Sequence, residues 1–270
     1  MLVAINLISD EMGQKLLSDE ICLFLDVDGT LIDLAPRPQD VAVPQSLRGD
    51  LLRATQKLHG ALALISGRSV DAIDRLFHPL RLCTAGVHGA ELRFVPDAEV
   101  VQAPSALLRV DLRRKLVALA QHFPGAIVED KGASVAMHYR ACADRRIEML
   151  AAIDSELARQ ADPRLVILPG HFVFEVKHKG YDKGTAVAAF LDTAAFHGRL
   201  PVMIGDDVTD EAGFRTAIAR GGYGFSVGRD VEGASGRFDQ AEDVRRWLAL
   251  VASEWSGPSV SLLPNRKTGV

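Results

Sequence analysis

Short apolar runs that alternate with helix-patterned segments constrain the fold of this chain more than any other feature of its sequence. Four such runs are apolar on both faces, as strands buried in a parallel sheet are; they cover residues 21–25, 61–65, 81–84 and 201–204. Between them, apolar residues recur at helical spacing over 45–59, 69–77, 183–197, 209–220 and 240–252. The pattern predicts an α/β fold with a Rossmann-like parallel sheet that binds ligands at the carboxyl ends of its strands.

The middle of the chain has a different pattern. Its predicted order is strand 90–95, helix 105–122, strands 126–129 and 133–139, helix 143–160, and strands 164–168 and 172–177. A hairpin-rich α+β order suits a small domain inserted into the parallel one. We therefore expect an extension at 1–19, a discontinuous core domain at 20–95 and 178–255, an inserted domain at 96–177, and a tail at 256–270, with hinges near Pro96 and His178–Gly180.

Composition excludes several classes of protein. With 48% hydrophobic and 24% charged residues, the chain is neither disordered nor a coiled coil. A formal charge of −4, from 31 basic and 35 acidic residues, gives no reason to expect a nucleic acid or membrane partner. Three widely spaced cysteines, no signal-peptide pattern and no apolar run of about 18 residues lead us to expect a cytoplasmic protein. A net charge near neutral and the lack of an obvious exposed apolar stripe make a monomer the default expectation.

The first strand runs directly into Asp26-Val27-Asp28-Gly29-Thr30. Two carboxylates separated by one residue at a strand end can point into one crevice, while the glycine allows a sharp turn. An isolated Asp-Gly pair usually marks only a turn. The apolar strand immediately before this pair favours a chemical role for Asp26 and Asp28.

Two further signals follow the same logic. Ser66-Gly67-Arg68 comes after the strand at 61–65 and offers a hydroxyl and an amide N–H that suit phosphate oxygens. Lys183 opens a helix, whereas a solvated surface lysine is more typical of a helix carboxyl end. Each signal alone would be weak, because a plain helix start explains it equally well.

A third acidic motif, Gly205-Asp206-Asp207-Val208-Thr209-Asp210-Glu211, follows the strand at 201–204. We interpret Thr209 as a helix N-cap, which would give Asp210 and Glu211 a structural role in the first turn. Asp206 and Asp207 have no such role, because adjacent carboxylates repel and need a cation. Oxygen ligands without histidine or thiolate favour Mg²⁺. A carboxylate nucleophile, a second carboxyl, a hydroxyl, a lysine and a divalent cation together suit phosphoryl transfer.

These motifs, in this order and at these places, resemble the haloacid dehalogenase (HAD) superfamily of phosphatases, and within it the trehalose-6-phosphate phosphatases. The resemblance covers about residues 20–250 and implies an inserted cap domain of the C2 type. It implies that Asp26 attacks phosphorus and that Asp28 protonates the leaving sugar oxygen and then activates water. It assigns Ser66 and Lys183 to the phosphoryl oxygens. It assigns Mg²⁺ to the Asp26 carboxylate, the Asp28 carbonyl and Asp206, with Asp207 and Asp210 in support.

The inserted domain carries further motifs of that family, at residues 86–91, 128–131, 134–140 and 174–177. By resemblance, Glu129, Lys131 and Glu175 would bind the hydroxyls of the distal glucose. The remaining residues that the resemblance places near the substrate are Gly67, Arg68, His88, Gly89, His138 and Arg140. Without the resemblance, Glu129 and Lys131 would be read as paired charges on an exposed strand face.

The expected activity is hydrolysis of trehalose 6-phosphate, a small-molecule sugar phosphate. Three alternatives stay open on the sequence. The substrate could be another sugar phosphate such as sucrose 6-phosphate, or the reaction a phosphosugar mutase. A phospho-accepting signalling module also combines paired acids with a lysine, but it needs neither a second carboxyl nor a cap. An inactive scaffold is the third alternative, which the intact set Asp26, Asp28, Lys183 and Asp206 disfavours.

Overall fold

The computed structural model describes residues 11–35, 40–170 and 172–253. Its strands are β1 Ile21–Leu25, β2 Leu62–Ile65, β3 Cys83–Gly86, β4 Glu91–Arg93, β5 Val101–Gln102, β6 Ile127–Asp130, β7 Ser134–His138, β8 Leu165–Gly170, β9 Val173–His178, β10 Leu200–Gly205, β11 Tyr223–Val227 and β12 Gly236–Phe238. Its α-helices are α1 Glu11–Leu17, α2 Gln45–Lys57, α3 Val70–Phe77, α4 Val110–Ala120, α5 Arg146–Gln160, α6 Lys183–Leu191, α7 Glu211–Ala219 and α8 Ala241–Ser253.

The larger sheet has eight strands in the order β12-β11-β10-β1-β2-β3-β4-β5. Strands β12 to β3 run parallel, and β4 and β5 are antiparallel additions at one edge. Every residue of β1 is buried, as is expected of a central strand covered by helices on both faces. The predicted α/β class is confirmed, and the four predicted apolar runs all form strands of this sheet.

The smaller sheet has four antiparallel strands in the order β6-β7-β9-β8. Helices α4 and α5 contribute Leu112, Leu116, Met149 and Ile153 to a separate apolar cluster with the inner face of this sheet. We call this unit the cap and the unit built on the larger sheet the core. The core sheet extends past the predicted boundary near Pro96, because residues 97–100 turn the chain back and β5 pairs with β4.

Two predicted helices are shorter than their apolar patterns. The segment 105–122 is a 3₁₀ turn at 104–106 followed by α4. The segment 183–197 ends at Leu191, since the Thr193 hydroxyl and amide both donate to the Phe190 carbonyl. Phe196 nevertheless packs into the core, with its ring 5.4 Å from that of Phe24, which explains the apolar pattern beyond the helix. No helix of the described ranges combines the length and the apolar character that crossing a bilayer requires.

The described part of the predicted N-terminal extension packs against the core. Leu16 of α1 is buried in the main apolar cluster, and the Lys57 ammonium of α2 donates to the Leu17 carbonyl at 2.7 Å. Residues 1–10 and the predicted tail 256–270 lie outside the described residues.

Candidate active site

A cleft of about 910 Å³ lies where the carboxyl ends of β1, β2 and β10 meet the open face of the cap sheet. Its walls carry the predicted residues Asp26, Asp28, Ser66, Gly67, Arg68, His88, Glu129, Lys131, Arg140, Glu175, Lys183, Asp206 and Asp207. The parallel sheet brings the core residues together, since each follows a strand that ends at the same edge. The cap residues come from β6, β7 and β9.

At the floor of the cleft, Lys183 joins two carboxylates. Its ammonium donates to Asp26 Oδ1 at 2.6 Å and to Asp210 Oδ1 at 2.7 Å. All three side chains are buried. Burial alone would lower the pKa of Lys183, but the Asp210 and Asp26 carboxylates outweigh it and raise the pKa above the ordinary value. A permanently charged lysine therefore stands beside the predicted nucleophile.

Three carboxylates crowd together at the same place. Asp26, Asp206 and Asp210 each offer an oxygen, and these atoms lie within 4.8 Å of one another. Burial and the neighbouring carboxylates raise the pKa of Asp206; burial also raises the pKa of Asp210, although Lys183 partly opposes this. One lysine cannot balance three carboxylates, so a divalent cation fits the cluster. Oxygen ligands in this number suit Mg²⁺.

The glycine of the first motif makes this crowding possible. Gly29 has a φ of +78°, and a Cβ at this position would lie 2.1 Å from Asp206 Oδ2. Any side chain there would push the Asp206 carboxylate out of the cluster. The glycine predicted for a sharp turn thus also allows the close approach of β1 and β10 loops.

Asp207 and Thr209 differ from the sequence interpretation. Asp207, not Thr209, caps the turn, because its carboxylate accepts from the Val208 amide at 2.7 Å. Asp207 lines the cleft but is not a member of the three-carboxylate cluster. Asp210, which the sequence pattern places as an acid of the first helical turn, is fully buried. A 3₁₀ turn at Val208–Asp210 rotates it inward, where Oδ2 accepts from the Asp207 amide at 3.0 Å. The prediction of a Thr209 cap is wrong.

Asp28 and Arg68 form a bidentate ion pair across the cleft. Arg68 Nε and one terminal nitrogen donate to the two Asp28 oxygens at 2.7 and 2.6 Å. Burial would lower the pKa of Arg68, but the bond to Asp28 raises it. Arg68, predicted to bind substrate, contacts the second carboxyl of the first motif in this arrangement.

Ser66 and Gly67 hold the loop between β2 and α3 in place. The buried Ser66 hydroxyl accepts from the Arg68 amide at 3.1 Å. The Gly67 carbonyl accepts from the Lys131 ammonium at 2.9 Å. Lys131 belongs to the cap, so this bond closes one side of the cleft. Ser66 lines the same cleft as Lys183.

Glu175 is the centre of a buried polar group in the cap. Its carboxylate accepts from Ser134 Oγ at 2.5 Å and Lys131 Nζ at 3.2 Å, and contacts His88 Nε2 at 2.9 Å. Burial alone would raise the pKa of Glu175, but Lys131 and His88 hold it well below the ordinary value. The interpretation of Lys131 as an exposed surface charge does not hold, because only 15% of its side chain is accessible.

Glu129 and Arg140 are more open to solvent. Glu129 lies 3.8 Å from Lys131 and 3.7 Å from His138 Nε2, and the contact with His138 lowers the pKa of Glu129. The Arg140 guanidinium stacks over the Phe172 ring at 4.8 Å. These charges already face the cleft and are free enough to adjust to a ligand.

Gly89 is the one predicted substrate residue that does not line the described cleft. Its φ is +100°, and a Cβ there would lie 3.0 Å from the Asp182 carbonyl oxygen and 3.2 Å from the Ala186 Cβ. Close packing of the loop after β3 against α6 explains the glycine without a ligand.

Sequence reasoning missed two residues that shape the site. The Thr30 hydroxyl lies 3.4 Å from Asp26 Oδ2 and 3.3 Å from Asp206 Oδ1. Arg229 donates to the Asp206 carbonyl and to Glu211, both at 2.8 Å. Thr30 could have been found as the polar residue after Gly29, whereas no local signal marks Arg229. His138, which the family resemblance places near the substrate, lines the cleft as the diagonal neighbour of Glu129 on β7.

Comparison with known proteins gives one consistent family. The sequence model of the family "Trehalose-phosphatase" matches residues 24–236. A probable trehalose-phosphate phosphatase of Sinorhizobium fredii is 44% identical over 236 residues, covering 87% of this chain and 88% of the relative. The trehalose-6-phosphate phosphatase of Escherichia coli is 37% identical over 238 residues, covering 88% of each chain.

Solved structures agree on the fold. The C-terminal domain of the Candida albicans trehalose-6-phosphate phosphatase superposes with a TM-score of 0.76 at 19% identity, covering 88% of this chain and 95% of that domain. A HAD superfamily phosphatase of Bacteroides thetaiotaomicron superposes with a TM-score of 0.53 at 17% identity, covering 86% and 94%.

Proposed function

The chain belongs to the trehalose-phosphatase family of the HAD superfamily and is a phosphoric monoester hydrolase, and we propose that it uses Mg²⁺ to hydrolyse trehalose 6-phosphate to trehalose and phosphate. The observation that carries the proposal is that one cleft holds two different groups of charged side chains, one in the core and one in the cap. A carboxylate with a charged lysine at 2.6 Å forms its floor, and a cap carboxylate held by a lysine and a histidine forms its roof. The floor suits a phosphoryl group and the roof suits sugar hydroxyls.

In the first half-reaction, an oxygen of Asp26 attacks phosphorus, and the bond between phosphorus and the sugar oxygen breaks. Asp28 donates its proton to that oxygen as trehalose leaves. The products are an aspartyl-phosphate on Asp26 and free trehalose. Lys183 and the Ser66 hydroxyl hold phosphoryl oxygens and offset their charge during the transfer.

In the second half-reaction, Asp28 takes a proton from water as the water oxygen attacks phosphorus. The bond between phosphorus and Asp26 breaks, which regenerates the carboxylate and releases phosphate. In the structure, Arg68 occupies both carboxylate oxygens of Asp28. Asp28 must release at least one of these contacts to reach the sugar oxygen and the water, so we expect the guanidinium to turn towards the substrate when it binds.

Asp26, Asp206 and Asp210 are the residues that would hold the cation, and by family resemblance the Asp28 carbonyl joins them. A Mg²⁺ ion bound there would offset the charge on the phosphoryl oxygens. Thr30 keeps Asp26 and Asp206 side by side. Asp207 belongs to the capping of the turn rather than to the direct ligands.

The cap supplies selectivity in this proposal. Glu129, Lys131 and Glu175 would bind hydroxyls of the distal glucose, as the family resemblance implies. Sugar hydroxyls both donate and accept, and the cap offers two carboxylates and one ammonium at the roof of the cleft. A cap seated over the core also limits the access of bulk water to the intermediate.

Phosphate release by the purified protein tests the proposal. With Mg²⁺, we expect turnover of trehalose 6-phosphate to exceed that of sucrose 6-phosphate and glucose 6-phosphate, and EDTA to abolish it. Preferred turnover of another sugar phosphate would contradict the proposed substrate but not the proposed phosphatase mechanism. Absence of turnover on every phosphate ester would contradict the proposed reaction and favour a phospho-accepting or inactive protein.

A further inference from the structure

His88 makes a contact that the proposed chemistry does not use. It follows β3 in the core, yet its Nε2 lies 2.9 Å from Glu175 Oε2 in the cap. Both side chains are more than nine-tenths buried, with accessible fractions of 9% and 8%. The other two partners of Glu175, Lys131 and Ser134, belong to the cap itself. Within the described residues, His88 is therefore the core side chain that bonds to this carboxylate.

The direction of the bond follows from the chemistry of its partners. Glu175 is ionised, because Lys131 and His88 hold its pKa well below the ordinary value, and an ionised carboxylate can only accept. His88 must then donate from Nε2. Burial lowers the pKa of His88, which favours the neutral ring with its proton on Nε2. Its Nδ1 is buried without a hydrogen-bond partner among the described residues, so one bond alone orients the ring.

The backbone around His88 is strained. Val87, His88 and Gly89 have φ values of 48°, 54° and 100° in succession. Left-handed conformations are rare for histidine and are true outliers for a β-branched residue such as valine. Strain of this kind persists only where surrounding contacts fix it, and it is concentrated at functional sites.

Those contacts come from the predicted phosphate-binding loop. The Val87 amide donates to the Arg68 carbonyl at 2.9 Å, and the His88 amide donates to the Ser66 carbonyl at 3.0 Å. A Cβ at Gly67 would lie 2.7 Å from His88 Nε2. The absence of a side chain at residue 67 thus leaves room for the ring to reach the cap. The His88 backbone thus bonds to the Ser66–Arg68 loop of the core, and its side chain contacts Glu175 in strand β9 of the cap.

We propose, on the premise that this cleft hydrolyses trehalose 6-phosphate, that His88 is a positioning residue that ties the sugar-binding carboxylate of Glu175 to the Ser66–Arg68 loop. The tie fixes the distance between the roof and the floor of the cleft. A disaccharide phosphate that spans both ends benefits from this fixed distance, whereas a small phosphate ester that contacts only the floor does not. His88 itself need not contact the substrate.

The test compares two substrates on each variant. His88→Asn keeps a residue that tolerates the left-handed backbone but is too short to reach Glu175. We expect kcat/KM for trehalose 6-phosphate to fall about 10- to 100-fold, the value of one bond to a charged group. For p-nitrophenyl phosphate we expect a change below about threefold. His88→Gln restores a donor at the same reach and should recover much of the loss. His197→Ala, an exposed histidine of the core, is the matched control.

Wild-type turnover of trehalose 6-phosphate is measured first, because its absence would overturn the proposed function and the positioning role with it. Once that turnover is established, equal losses on both substrates, or no loss on either, would overturn the positioning role alone. So would a His88→Gln variant as defective as His88→Asn.

A measurement on the wild-type protein keeps the proposal testable if a variant does not fold. Nitrogen NMR of histidine-labelled protein should show one neutral ring protonated at Nε2 with slow proton exchange. The opposite tautomer at His88 would overturn the proposal, since Nε2 could not then donate to Glu175.

Discussion

The core and cap halves of the cleft hold their charges in different ways. In the core, Asp26, Lys183 and Asp210 are buried and bond to one another, so their geometry is complete without a ligand. In the cap, Glu129 keeps 38% of its side chain accessible and lies 3.8 Å from the Lys131 ammonium and 3.7 Å from His138 Nε2. The core is preorganised for one reaction, and the outer cap charges have freedom to fit a particular sugar. We therefore expect core substitutions to affect every substrate and cap substitutions to affect the disaccharide phosphate most.

The largest expected effect comes from removing the nucleophile of the core. Asp26→Asn retains volume and an acceptor for Lys183 but removes the attacking carboxylate. Turnover should fall at least about 10³-fold on trehalose 6-phosphate and on p-nitrophenyl phosphate alike. Phosphate release measures it, and circular dichroism verifies the fold. Asp154→Asn, on the exposed face of α5, is the control. Substantial residual activity of Asp26→Asn would contradict the covalent mechanism.

A cap substitution should split the two substrates. Glu175→Gln preserves the size of the side chain but removes the charge that Lys131 and His88 surround. We expect kcat/KM for trehalose 6-phosphate to fall about 10- to 100-fold, and that for p-nitrophenyl phosphate to fall much less. Steady-state kinetics on both substrates are the measurement. Equal losses would mean that Glu175 has only a structural role and that the division between core and cap is wrong.

Removing the cation should make the stability of the protein depend on pH, because three carboxylates lie close together in the core. In the metal-free protein, the raised pKa values of Asp206 and Asp210 mean that the folded state binds more protons than the unfolded state. That contribution to stability is complete below the unfolded aspartate pKa of about 4 and is lost as the pH rises through the folded pKa values. Stability without metal should therefore decline as the pH rises from about 4 to about 9, through the folded pKa of about 7 for Asp210 and of about 9 for Asp206. Bound Mg²⁺ should offset the decline.

Thermal unfolding with Mg²⁺ or EDTA checks this expectation. A saturating excess of Mg²⁺ should raise Tm by about 5–10 °C near neutral pH and by less near pH 5.5. The Asp206→Asn variant provides the control, because it removes one carboxylate from the cluster and should shrink both the pH dependence and the response to Mg²⁺. A Tm that Mg²⁺ leaves unchanged at every pH would count against a cation at this cluster.

The smallest expected effect concerns a residue that holds the core geometry from outside. Arg229 donates to the Asp206 carbonyl and to Glu211. Arg229→Ala should raise the Mg²⁺ dissociation constant about 3- to 10-fold, since it loosens a ligand-bearing loop. Calorimetric titration of Mg²⁺ measures this directly. Arg237→Ala, which removes exposed ion pairs with Asp230 and Asp239, should leave it unchanged; an equal change in both variants would argue against a specific role for Arg229.

The contrast between core and cap also explains which residues of the site could be predicted from the sequence. Asp26, Ser66, Lys183 and Asp206 each stand directly after an apolar strand or at the first position of a helix. Parallel strands end at one edge, so adjacency in the sequence was enough to place these residues together. The strands of the core were predictable for the same reason, because an apolar run buried on both faces leaves a clear pattern.

The prediction failed in the acidic motif after β10, where a single turn decides which way each side chain points. Asp207 and Asp210 stand three residues apart, and the sequence offers no rule for which carboxylate faces inward. The 3₁₀ turn at Val208–Asp210 decides it by directing Asp210 to Lys183 and Asp207 to the Val208 amide. The spacing of three residues fits a reciprocal cap, but that pattern does not say which of the two carboxylates turns inward.

The cap was less predictable from its residues because its contacts cross between strands. Glu175 lies opposite Ala136 in β7, and its partners Lys131 and Ser134 lie near the turn between β6 and β7. Register sets such contacts, and a strand with little alternation does not specify its register. The link from His88 to Glu175 joins residues 87 positions apart, and no local pattern indicates it.

The most direct test of the division between core and cap is a crystal structure of the Asp26→Asn variant with trehalose 6-phosphate and Mg²⁺. We predict the phosphoryl group within hydrogen-bond distance of Ser66 and Lys183, and hydroxyls of the distal glucose on Glu129, Lys131 and Glu175. A substrate whose distal sugar points into solvent, or whose phosphoryl group lies on the cap, would contradict the account.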